Sequence, residues 1–293
     1  MEYTLNDVDV SDKTFITFLF QNKFMLGMLR ICRDCGHEMN LIHSSHFDDG
    51  FEFRCHRASC KRRESIRVGS IFEGHKLTLK EMFRVMIHFV SGSKVHSTAL
   101  ALDLNRNTVS DLFQLFRERY AQIMESSPVE FTGEIFEADE LRINRVKDPA
   151  TGHILHHVWV FGMAERDSSQ AFLKRVDRTD GATLVGLIKQ YAPPGSIIMT
   201  DEKNSYHVLD HEDSLYAHYA VSHSAQDYQH MEIGPQDQHL NVHINTIEGL
   251  NREVRQRLSN KSVRTLDRLD IELGEMMYRK SGRGLFDPFK IEF

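Results

Sequence analysis

The sequence predicts an α/β protein in which a metal-binding, helical N-terminal region precedes a layered C-terminal domain. Three observations predict it. All four cysteines fall between Cys32 and Cys60, in two close pairs. Two helical patterns meet at a tight Asn-rich turn near Asn105. Beyond residue 128, short apolar runs end in carboxylates and are followed by a helix with an acid near its start. The expected organisation is residues 1–75 as an N-terminal helix and zinc ribbon, 76–127 as a helix-turn-helix-like region, and 128–293 as the α/β domain.

Length and composition set the limits. A chain of 293 residues has room for one large or two moderate domains with a sizeable core. No run approaches the roughly 18 apolar residues of a membrane span. The start, M-E-Y-T-L-N-D-V-D-V, is acidic and lacks a basic segment before an apolar one, so secretion is not expected. Clustered cysteines suit a metal site in a reducing compartment better than a disulfide framework. The formal net charge of -6 runs against nucleic-acid binding as a whole-chain property. Local charge runs the other way: Arg54, Arg57, Lys61, Arg62, Arg63 and Arg67 face Glu64 alone within fourteen residues. Such a run is either a solvated face or a phosphate-contacting patch.

The elements follow in order. Residues 12–30, with Phe15, Phe18, Leu19, Phe24, Met25 and Leu29, predict a helix or two. C-R-D-C-G-H (Cys32–His37) and C-H-R-A-S-C (Cys55–Cys60) are two knuckles, with nineteen residues between Cys35 and Cys55. Four thiolates complete a closed tetrahedral zinc site, which is structural because no coordination position is left open. His37 and His56 are spare candidates. Phe47, Phe51 and Phe53 alternate with polar residues, as in the hairpin of a ribbon. Leu79, Met82, Phe83, Met86, Ile87 and Val90 mark an amphipathic helix ended by Ser91-Gly92-Ser93. Ser97–Leu104 and a helix capped at Thr108 and carrying Val109, Leu112, Phe113, Phe116 and Tyr120 form a helix-turn-helix pattern. In a DNA-binding version, Asn105, Arg106, Asn107 and Ser110 approach the duplex; a plain helical hairpin is the competing reading.

After the Pro- and Gly-containing Glu125–Gly133 come Glu134–Leu141, His156–Met163 and Gln170–Val176 as strands. Thr183–Tyr191 is a helix, and Ser196–Asp201 another buried strand ending in Asp. This order suits an antiparallel meander with a parallel addition. The stretch from Asp201 to Glu248 is polar and holds His207, His211, His218, His223, His230, His239 and His243 at irregular spacing, with no H-E-x-x-H. Tyr219–His223 is a candidate short strand. Asn245–Leu258 is a helix with Glu248 near its start, and Leu266–Met277 is a final amphipathic helix before an aromatic tail.

Asp139, Asp201 and Glu248 therefore have the positions needed for one cation site. Rigid strands fix where a carboxylate points. Three carboxylates would bind two hard divalent ions, Mg2+ or Mn2+, able to activate a water or a 3′-hydroxyl for in-line phosphodiester attack. Competing readings exist for each. Asp139 could be a strand-end solubilising acid, Asp201 could cap a helix starting near Glu202, and Glu248 could pair with Arg252 and Arg255 along its helix.

The order of these blocks resembles the Merlin superfamily of DNA transposases and their bacterial insertion-sequence relatives with the ISXO2-like transposase domain. The resemblance rests on Phe53–Glu73, E-A-D-E (Glu137–Glu140), H-H-V-W-V-F-G-M (His156–Met163), T-D-E-K-N-S-Y (Thr200–Tyr206), V-S-H-S (Val221–Ser224) and H-I-N-T-I-E-G-L (His243–Leu250). It implies an RNase H-like fold and a DDE site made by Asp139, Asp201 and Glu248, with Asp139 rather than Glu140 as first acid. It also implies structural zinc on Cys32, Cys35, Cys55 and Cys60, and a homodimer or larger assembly on DNA, with terminal inverted repeats as the sequence read. The implied compartment is a nucleus or a bacterial nucleoid. Arg57, Arg62, Arg63, Arg106, Asn107 and Arg255 are the expected DNA contacts. Two positions depart from the family pattern: Asn251 stands where an aromatic is common, removing an apolar packing group, and Arg255 where Lys is common. The competing expectation is a host-retained, non-catalytic DNA-binding or scaffolding protein.

Overall fold

A computed structural model describes residues 2–143, 146–147, 150–155, 158–211, 215–222, 229–259 and 265–291. His156, His157, His223 and Ser224, which figure in the sequence reading, lie outside the described residues. The chain divides into two compact units, Met1–Arg119 with Gly284–Phe293, and Tyr120–Arg283.

In the first unit, α1 (Asp12–Gln21) is the one α-helix within residues 12–30, capped by Ser11. Phe24 and Met25 are fully buried beyond its end, and the chain then turns into strand β1 (Arg30–Ile31). With β2 (Glu38–His43), β3 (Phe51–Cys55) and β4 (Arg63–Ser65) it makes a four-stranded antiparallel sheet in sequential order. Helix α2 (Leu79–Val90) opens with a Thr78–Glu81 capping box that satisfies two terminal donors reciprocally. It ends at Gly92, whose φ of +75° suits a residue without a Cβ. Helices α3 (Val95–Leu102) and α4 (Arg106–Ser126) are joined by a short turn in which Asp103 is left-handed. The expected cap at Thr108 is displaced. The cap lies three residues earlier, at Asn105, whose side chain accepts the Asn107 amide at 2.8 Å. Val109, Leu112, Phe113 and Phe116 form the buried face, and Phe89 packs edge-on against Phe113.

The C-terminal residues Gly284–Phe293 belong to this first unit rather than to the domain that begins near residue 128. Their aromatics explain it: Phe286 packs against Tyr3 and Phe83, and Phe289 against Phe116.

The second unit is organised on a five-stranded sheet. Its strands are β5 (Ile135–Ile143), β8 (Val158–Glu165), β9 (Ala171–Val176), β10 (Ile197–Asp201) and β11 (Ala217–Val221). The short segments β6 (Val146–Lys147) and β7 (Ile154–Leu155) pair beside it. The order is β11-β10-β5-β8-β9, with β5, β8 and β9 antiparallel and β10 and β11 parallel to β5. Three antiparallel strands flanked by two parallel additions on the first strand is the RNase H-like arrangement. Helix α5 (Gly181–Tyr191), capped by Asp180, makes the crossover between β9 and β10. A hairpin, β12 (His230–Ile233) with β13 (His239–Val242), precedes α6 (Asn245–Ser259) and α7 (Leu266–Lys280).

Strand alternation divides the side chains between two layers. Leu141, Val160, Leu173 and Met199 join one apolar cluster with Ile247, Leu250 and Val254 of α6 and Leu269, Leu273 and Met276 of α7. Phe172 points the other way, against Tyr191 of α5 with ring centroids 3.9 Å apart. Gly162 lets α6 approach closely: a Cβ there would lie 2.9 Å from Ile247 Cδ1. Far down α6, Arg257 is held between two buried acids of α7, donating to Glu272 at 3.0 Å and pairing with Glu275.

Candidate active site and metal centre

β5 and β10 run parallel in a register that sets Met199 beside Glu137. Pairing ends there, and the next residues on the same face are Asp139 and Asp201. The period of two that buries Leu141 and Met199 under α6 therefore turns both aspartates toward that helix. Glu248 sits in the first turns of α6, with its amide donating to Ile244 O at 3.0 Å. All three side chains are half-buried by residue.

Asp139 feels the charges of the other two acids. Asp139 is pushed up to about 7, first by burial and then by the negative charges of Asp201 and Glu248, while Lys203 and Arg255 pull the other way. Tyr206 is raised well above its ordinary value by burial, with Asp139 and Asp201 adding to it. Lys203 is lowered by burial and drawn back up by Asp139.

Glu140 faces the opposite side of β5. It pairs with Lys203 and accepts the Tyr206 hydroxyl at 2.7 Å, so its charge is matched locally. Asp201 ends β10 and caps no helix; the next turn, Asn204–Asp210, has Lys203 at its cap position.

Three residues that the sequence reading gave no role meet this site. Asn251 is buried, one turn after Glu248, and donates Nδ2 to Asp139 Oδ2 at 2.7 Å. Its removal of an apolar group is thus offset by a polar contact to the first acid. Glu137 is fully buried two residues before Asp139 and accepts the amides of Thr246 and Ile247 at the start of α6. Arg166 donates to Glu137 at 2.8 and 3.0 Å. The E-A-D-E block contained the one usable signal, an acid at a core-facing strand position.

The acids offer hard oxygen donors with mutual repulsion that a cation would relieve, which fits a divalent ion. They are not drawn together as a bound set is: among the described residues, only the four cysteines have ligand atoms all within 4.8 Å of one another. Cys32 and Cys60 sulfurs are 3.6 Å apart and those of Cys35 and Cys55 3.4 Å, and none is in a disulfide. This geometry is compatible with a zinc ribbon. The Cys35 thiol is lowered to about 6, chiefly by a hydrogen bond from the His37 amide. His37 and His56 instead turn their Nδ1 atoms to the carbonyls of Cys35 and Glu38. Among the described histidines between Asp201 and Glu248, none joins a metal-ligand group; His218, for example, is bound between Asp210 and Thr200.

The basic run divides on folding. Arg67 is buried and grips Asp49 with two bonds of 2.6 Å, so it leaves the surface patch. Arg62 donates to Asp34 at 2.5 Å and Arg63 lies 3.6 Å from Glu52. Arg57, Arg106, Asn107 and Arg255 are exposed. No helix among the described residues is long and apolar enough to cross a membrane.

Fold and site together define an RNase H-like domain with acids gathered at one end of its central strands. Residues 128–280 match the family model of the ISXO2-like transposase domain, and the chain belongs to that family. No curated protein matches the chain. Solved structures similar to it include the catalytic core domain of BIV integrase, at 11% identity over 52% of this chain and 87% of that one, with a TM-score of 0.28. The Mos1 transposase paired-end complex with left transposon end matches at 12% identity over 69% and 79%, with a TM-score of 0.22. The Drosophila P element transposase strand transfer complex matches at 13% identity over 70% and 58%, with a TM-score of 0.32. Scores this low describe a general likeness and specify no chemistry.

Proposed function

We propose that this protein is a DDE-type DNA transposase that cleaves DNA strands and joins the freed 3′-hydroxyl to a target. The observation that carries the reading is the placing of Asp139 and Asp201 on one face of neighbouring parallel strands beneath the helix that carries Glu248, inside the segment matching the transposase family. Asp139 and Asp201 are held by neighbouring parallel strands and Glu248 by the helix packed over them, so three carboxylates from separate elements face one place. When bound there, Mg2+ or Mn2+ would activate the attacking hydroxyl and stabilise the leaving oxygen. Asn251 orients Asp139 by donating to Oδ2, while Oδ1 accepts the Glu140 amide at 2.8 Å. Lys203 and Arg255 are the cations that sense Asp139 and are suited to phosphate oxygens.

In the first unit, Cys32, Cys35, Cys55 and Cys60 would hold one structural zinc ion. Arg57, Arg62, Arg63, Arg106 and Asn107 would contact DNA, with terminal inverted repeats as the sequence read by a dimer or larger assembly. The test is strand transfer. Purified protein with Mn2+ is incubated with DNA ends from the repeats flanking its own gene, beside Asp201→Ala. Wild-type joining and its loss in the variant are expected; equal activity in both would overturn the site.

A further inference from the structure

Glu137 and Arg166 meet at the N-terminus of α6, and nothing in the proposed chemistry uses them directly. Glu137 is fully buried on β5, and the next same-face residue along that strand is Asp139. Its Oε2 accepts the amides of Thr246 at 2.7 Å and Ile247 at 3.0 Å, and its Oε1 accepts the Thr246 hydroxyl at 3.0 Å. These amides are among the four that an α-helix leaves without intrahelical partners, and a carboxylate there also meets the positive end of the helix dipole. Here the cap comes from a strand 109 residues away in sequence. The same Oε1 receives Nε and Nη2 of Arg166 at 3.0 and 2.8 Å. Arg166 then reaches across to the segment leading into α6, donating to Asn241 O and His243 O, each at 2.8 Å. His243 Nδ1 completes the cluster 3.3 Å from Glu137 Oε1.

We infer that this clasp is a positioning device: it fixes the start of α6 on β5, and so fixes Glu248 and Asn251 against Asp139, before any cation binds. The inference rests on the three-acid reading of the site. Glu248 lies one residue beyond the last clasped amide, and Asp139 two residues along the strand from the clasping acid. The carboxylate that holds the helix and the one that the helix must meet are therefore spaced by a single pleat repeat. Buried ion pairs are weak sources of net stability, but they specify register when every lone pair is met. The donors to Glu137 come from two separate segments, the turn after β8 and the start of α6, so with β5 itself the clasp ties three segments together. Without the clasp, α6 would still be packed by Ile247, Leu250 and Val254 and anchored by Arg257, yet its first turn would be free to fray.

The experiment pairs hydrogen exchange with Mn2+ titration. Peptides spanning His243–Glu248 are followed by mass spectrometry in protein dialysed free of Mg2+ and Mn2+, and Mn2+ affinity is measured by electron paramagnetic resonance. Wild-type protein is expected to show slow exchange in this segment without Mn2+. Glu137→Gln is expected to exchange faster there and to bind Mn2+ about ten-fold more weakly, the usual cost of losing a partner that orients ligands. Saturating Mn2+ should restore part of the protection. Arg166→Lys should move both readouts the same way by less. The inference is overturned if Glu137→Gln folds and matches wild type in both, or if wild-type exchange in this segment is fast until Mn2+ is added. Should Glu137→Gln fail to fold, wild-type exchange and Arg166→Lys decide the matter. Asp201→Ala separates the two claims: it should lose Mn2+ binding while keeping the helix start protected. Unchanged Mn2+ binding in Asp201→Ala would count against the three-acid site, leaving exchange to judge the clasp.

Discussion

Replacing Asp139 with Asn should stabilise the cation-free protein at alkaline pH. In the folded chain Asp139 titrates at about 7 because burial, Asp201 and Glu248 all oppose its charge. Unfolded, it returns to the ordinary carboxylate value of 3.8. The folded state therefore holds this proton more tightly, and stability falls as pH rises from the lower value through the upper one. The gap corresponds to at most about 4 kcal/mol, fully expressed above pH ~8. Asn carries no charge and keeps an oxygen for the Asn251 amide. It gives up one of the two oxygens now used, at about 1 kcal/mol, so a net gain of roughly 2–3 kcal/mol is expected at pH 8.5. At pH 5, between the two values, roughly 1.6 kcal/mol of the penalty is expressed, so after the lost hydrogen bond the advantage should shrink to under about 1 kcal/mol. The assay is urea unfolding of both proteins, dialysed free of Mg2+ and Mn2+, at pH 5 and pH 8.5. Mn2+ should then stabilise wild type at pH 8.5 and leave Asp139→Asn nearly unmoved. Equal pH dependence in the two proteins would refute the reasoning that burial and the neighbouring acids together oppose the Asp139 charge.

Other changes should act through contacts of different kinds. Cys35→Ser should release the zinc of the four-cysteine cluster, falling from one ion per chain to none by atomic absorption, and lower the melting temperature of the first unit. Arg257→Met leaves Glu272 and Glu275 buried with less compensation and should cost about 3–5 kcal/mol in urea unfolding. Asn251→Leu removes the donor to Asp139 Oδ2 and should cost about 1–3 kcal/mol at pH 8.5, with a smaller loss at pH 5. Gly162→Val should destabilise by several kcal/mol, since even a Cβ meets Ile247 at 2.9 Å.

What the sequence makes legible follows from how local the cause is. Two cysteine pairs at knuckle spacing state their own geometry. Apolar runs ending at Asp139 and Asp201 announce strands and their ends, and helical periodicity announces α2, α4 and α7. Facing is less local. That Asp139 turns toward α6 while Glu140 turns toward Lys203 and Tyr206 depends on which face of β5 meets the helix. Asn251 reads as a lost aromatic until the packing of α6 over Gly162 brings its amide to Asp139. Glu137 and Arg166 are invisible as partners because 29 residues separate them, and the helix start they grip is another 80 or so along the chain. The β12–β13 hairpin lies in polar, His-rich sequence without the alternation that marks a half-buried strand; only Leu240 and Val242 are buried in it. The C-terminal tail has aromatics that predict packing, but not the unit on which Phe286 and Phe289 settle.

The most direct test of the three-acid site is anomalous diffraction at the manganese edge from crystals soaked in Mn2+. The account predicts density within about 2.2 Å of carboxylate oxygens from Asp139, Asp201 and Glu248 together, with Glu140 still on Lys203 and Tyr206. Manganese bound at Glu140, or at none of these acids in well-ordered crystals, would contradict it.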